Sequence, residues 1–85
     1  MDRDQFTNAN LRSVSKASMA ALSQIQDHPK GVQPAAIAAM FLAYSEASGV
    51  PAQDLMTVTQ NMISHADGRR PEFKALVRYV EGELL

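Results

Sequence analysis

Apolar positions recur along this chain three and four residues apart, and the spacing predicts four helices. Leu11, Val14, Ser18, Ala21, Leu22 and Ile25 mark an amphipathic helix over residues 8–26. Leu55, Val58, Thr59, Met62 and Ala66 mark another over 51–66, whose outer face of Thr57, Gln60, Asn61 and Ser64 is polar but uncharged. Phe73, Leu76, Val77, Val80 and Leu84 mark a fourth over 71–81. Residues 34–48 break the pattern. One side carries Ile37, Met40, Phe41 and Tyr44, as a core stripe requires, but the opposite side reads Ala35, Ala39, Leu42 and Glu46. A helix apolar nearly all round is either central to a bundle or covered by a partner.

The punctuation agrees with the periodicity. Pro34, Pro51 and Pro71 stand where a helix begins and an N–H is dispensable, while Gly49 and Gly68 stand where helices end. Asp27-His28-Pro29-Lys30-Gly31 closes the first helix, because the residue before proline avoids helical angles. Thr7, Asn8 and Asn10 are alternative N-caps for that helix. Residues 1–7 read as a frayed polar lead-in anchored by Phe6. Gly82 weakens the last turn, so Leu84 and Leu85 are expected to fray or dock elsewhere. No alternating β-branched run occurs. The expected fold is all-α, a compact single-domain bundle of four short helices spanning residues 1–85, with Phe41 and Phe73 buried at the centres of their stripes.

Composition narrows the function more by exclusion than by assignment. The chain has 85 residues, room for one small core. It has no cysteine, which removes disulfides, thiolate metal sites and cysteine nucleophiles and favours a reducing, cytoplasmic setting. The net charge of −1 gives no global attraction to nucleic acid or anionic lipid. No apolar run approaches the roughly 20 residues that cross a bilayer, and the polar start does not read as a signal peptide. Neither a nucleophile elbow nor a phosphate-cradling loop is present, so no enzyme activity and no small-molecule substrate are expected. His28 and His65 have only Asp27 and Asp67 near them, short of the three or four convergent ligands that a metal needs, so no metal or other cofactor is expected.

Residues 41–62 resemble the helix-turn-helix spacing of bacterial and phage repressors. Gly49 stands in the turn with Val50 after it, Ser45 four before it, and Leu55 and Val58 six and nine after. The resemblance implies a DNA-binding regulator. Two features depart from it: Ser48 replaces an expected apolar residue, and residues 31–68 contain no Lys or Arg, although phosphate neutralisation supplies most affinity for DNA. Basic residues cluster instead on helix four, where Arg70, Lys74 and Arg78 follow Arg69. They suit an acidic surface, or simply a solvated helix face.

The reading that survives is a small non-catalytic interaction or regulatory protein that binds another protein or a second copy of itself. Its size suits a phage or mobile-element accessory role. DNA is the disfavoured partner, and no membrane contact is expected. The expected contact residues are Ala35, Ala39, Leu42 and Glu46 on the second helix and Arg70, Lys74 and Arg78 on the fourth. In a two-fold pair Leu42 would lie near its symmetry mate. Helices one and four are the alternative cover for that strip.

Overall fold

The computed structural model describes residues 3–85, which form α1 (Arg3–Thr7), α2 (Leu11–Ile25), α3 (Val32–Ser48), α4 (Ala52–Ile63) and α5 (Pro71–Glu83). The four longer helices answer the four expected from the spacing, so the fold is all-α as read, a compact bundle. The lead-in adds the short α1, while residues 1–2 lie outside the described residues.

The helix limits differ by a few residues, and each difference has a local cause. α2 starts at Leu11 because Asn10 is the cap: its Oδ1 accepts the N–H groups of Arg12 at 2.9 Å and Ser13 at 3.2 Å. α3 begins two residues before Pro34, which still falls among the first-turn positions whose N–H has no intrahelical acceptor. α4 stops at Ile63 rather than Ala66. The chain there turns back in a two-residue antiparallel ladder of β1 (Ser64–His65) and β2 (Gly68–Arg69). His65 Nδ1 accepts the Asp67 N–H at 3.2 Å, and Gly68 takes φ +120°, a region closed to side-chain-bearing residues. α5 runs on through Gly82, and Leu84 docks as the most buried apolar residue, 4% exposed.

α2 and α5 form the tightest helix pair. Ser15, buried and small, donates its Oγ to the Glu72 carbonyl at 3.4 Å. Eleven residues further along, just past the end of α2, the Gln26 Oε1 accepts from the Tyr79 hydroxyl at 3.1 Å. The bonds fall in the same order on both helices, so the two run in roughly the same direction with Leu22 between them. α3 meets its neighbours mainly through its ends. Buried Gln33 donates its Nε2 to the Gln26 carbonyl at 3.3 Å and the His28 carbonyl at 3.0 Å, satisfying acceptors that α2 leaves open where it ends. At the other end Ser45 donates its Oγ to the Val50 carbonyl at 2.7 Å. The resulting body is flat, 35 × 33 × 18 Å, and its Cα radius of gyration of 13.5 Å exceeds the about 12 Å of a spherical chain this long.

Candidate functional site

α3 carries six alanines and one charge, Glu46, over its 17 residues. Alanine makes a helix apolar on every side without making it bulky. At about 25 cal/mol per Å² of apolar surface, a methyl group returns little for being covered. The chain accordingly places its buried large side chains elsewhere. Leu22, Val50, Leu55 and Leu84 are buried, and none of them comes from α3.

The stripe expected to form the core of α3 is therefore corrected. Met40 is 51% and Tyr44 54% exposed, Ile37 is exposed as well, and Phe41 is half-buried rather than buried. Phe73 on α5 is also only half-buried, with the Arg69 guanidinium 5.3 Å from its ring centre in a cation–π contact. The physical reason is that α2, α4 and α5 approach the front of α3 without closing on it. Ile37 and Met40 border a groove of about 520 Å³ whose other walls are α2 and α5. Phe41 and Tyr44 border another between α1, α2 and α4.

On the outer side of the same helix Ala35, Ala39, Leu42 and Glu46 are all exposed, with Leu42 at 53%. These four share one face as their spacing requires, and neither α2 nor α5 covers it. The basic residues divide differently from their order in sequence. Lys74 and Arg78 flank a groove of about 440 Å³ together with Arg69 and Glu81. Arg70 caps the start of α5 and stands beside α4 with Asn61 and Met62 instead. The structure thus brings Lys74 and Arg78 together and sets Arg70 apart. All three are exposed.

The corner between α3 and α4 has the geometry of its spacing. Gly49 is left-handed at φ 76°, and Val50 and Leu55 are buried beneath the turn. Ser48, the departure from the repressor pattern, holds the turn locally, since its Oγ accepts the Val50 N–H at 3.2 Å. The outer face of α4 offers exposed Gln53, Thr57, Gln60 and Asn61, with Asp54 in its first turn.

His65 is engaged in the β-turn described above, and His28 contributes its carbonyl to Gln33. Among the described residues no three His, Cys, Asp or Glu side chains converge on a point. No helix among them is long and apolar enough to cross a membrane.

Sequence spacing missed two features of the surface. Gln33 reads in sequence as a polar interruption before Pro34. Its distance of five residues from His28, across a proline turn, is the signal that it reaches back to cap α2. Val77 belongs by spacing to the buried stripe of α5 but is 44% exposed. No family model, curated protein or solved structure matches this chain.

Proposed function

We propose that this is a small non-catalytic protein that works by binding another protein, with the outer side of α3 as the contact surface. The observation that carries this reading is the exposure of α3 on two sides, Leu42 on one and Met40 on the other, in a helix with a single charge. A continuous apolar surface of this kind is unfavourable in water and marks interaction sites. Ala35 and Ala39 permit close approach of a second helix, Leu42 supplies a knob, and Glu46 sits at the rim. A regulatory or accessory role in a reducing, cytoplasmic compartment fits the size and the cysteine-free composition; no enzymatic activity is assigned.

The test is a photo-crosslinking residue placed at Leu42 and, separately, at Gln60 on the polar face of α4. Discrete heavier products from position 42 alone are expected in host cells. Equal yields at the two positions overturn the reading.

One observation favours a second reading, a DNA-binding regulator using residues 41–62: the left-handed Gly49 corner over buried Val50 and Leu55. The absence of Lys and Arg from residues 31–68 weighs against it. Duplex binding at low salt that weakens as salt rises is its signature.

A further inference from the structure

Val77 stands on a ridge of α5 between two grooves, and Phe73, Val77 and Glu81 border both. Lys74, Val77 and Glu81 follow one another at spacings of three and four, within about 60° of each other around the helix. All three are exposed. An apolar centre with a cation on one side and an anion on the other is a pattern that matches itself when turned end for end. We propose that this ridge is a two-fold interface between two copies of the chain, with the α5 helices antiparallel and the axis beside Val77. In that pairing Lys74 of each copy faces Glu81 of the other, and the two valines meet between them. Arg78, about 100° round from Val77, lies at the rim with its aliphatic stem along the seam.

The charges select a second copy as the occupant. An isologous contact sets each residue against a fixed counterpart, so it is favourable only when the pattern contains both signs in mirrored places. α5 meets that condition. α3 does not, because Glu46 is its single charge and has no cation to face, so the axis lies at Val77 rather than Leu42. The grooves on either side receive the partner's ridge, and Met40 extends the apolar wall of the larger one.

The surface area has the right size for the same occupant. The chain exposes 6071 Å², whereas a compact monomer of 9.3 kDa exposes about 5,000 Å². The excess of about 1,000 Å² is comparable to the roughly 800 Å² that each partner buries in a specific pair. A net charge of −1 opposes the approach of two copies only weakly. This interface leaves the outer side of α3 open, so it is independent of partner binding there.

Sedimentation equilibrium of the full chain at low salt tests it. The expected mass is twice the chain mass of 9.3 kDa. Lys74→Glu and Glu81→Lys each set like charges opposite one another at both ends of the seam. Each raises the dimer Kd about tenfold or more. Both positions are exposed, so helix content measured by circular dichroism stays unchanged. Mixing the two variants in equal amounts restores opposite charges at every position and recovers a mixed dimer. A wild-type chain that stays monomeric up to its solubility limit overturns the proposal. So does a dimer indifferent to both reversals, or a mixture that fails to recover one. Crosslinking at Leu42 reads the α3 surface alone, so failure there and failure here are distinguishable.

Discussion

α2 and α3 are neighbours in sequence and similar in length, yet one is sealed and the other is open. α2 has a narrow apolar stripe and a polar back. Its stripe meets α5, Leu22 is 9% exposed, and hydrogen bonds from Ser15 and Tyr79 tie the pair near both ends. α3 has more apolar residues and buries fewer of them. Burial here follows directed bulk rather than total hydrophobicity. A stripe of Leu, Val and Ile on one face tells neighbouring helices where to pack. A cylinder of alanines with large residues on several sides gives no such direction, and four short helices cannot surround one of their own number. What remains uncovered is then available to another molecule.

The same truncation made in both helices puts this contrast under the greatest strain. Leu22→Ala is expected to cost about 2–3 kcal/mol, since it opens a cavity between α2 and α5. Chemical denaturation of the isolated chain would show it as a lower midpoint with an unchanged slope. An equally large loss from the exposed Leu42→Ala would mean that α3 lies in a sealed core after all.

The tie between the two helices comes next. Gln33→Ala strands the Gln26 and His28 carbonyls and is expected to cost about 1–2 kcal/mol. Hydrogen exchange should reveal the effect first in the last turn of α2. Gly49→Ala tests the other end of α3. Nothing lies within 4 Å of the added methyl, so the expected loss of about 1 kcal/mol is backbone strain at φ 76° alone. A melting temperature unchanged from wild type would show that the corner relaxes.

The least effect on stability belongs to the open helix itself. Leu42→Arg should leave stability within about 0.5 kcal/mol of wild type, because the side chain is already in water. In a chain carrying the photo-crosslinking residue at the neighbouring Ala39, the same substitution should remove the crosslinks that report partner binding. Loss of helical signal would instead place Leu42 in the fold.

The four longer helices, their order and most of their ends were legible in the residues alone. They depend on signals read within one or two turns: apolar spacing, proline at starts, glycine at the left-handed Gly49, and asparagine at the Asn10 cap. The spacing also put Ala35, Ala39, Leu42 and Glu46 on one face of α3, and it put Lys74 and Arg78 on one flank of α5. Which faces close was settled only when the helices came together. Their packing left Ile37, Met40 and Tyr44 beside open grooves, turned Gln33 inward to cap α2, separated Arg70 from Lys74 and folded residues 64–69 back as a hairpin. Periodicity defines a face but says nothing of how near the next helix comes. That distance depends on the bulk of side chains brought together from α2, α4 and α5, far apart along the chain.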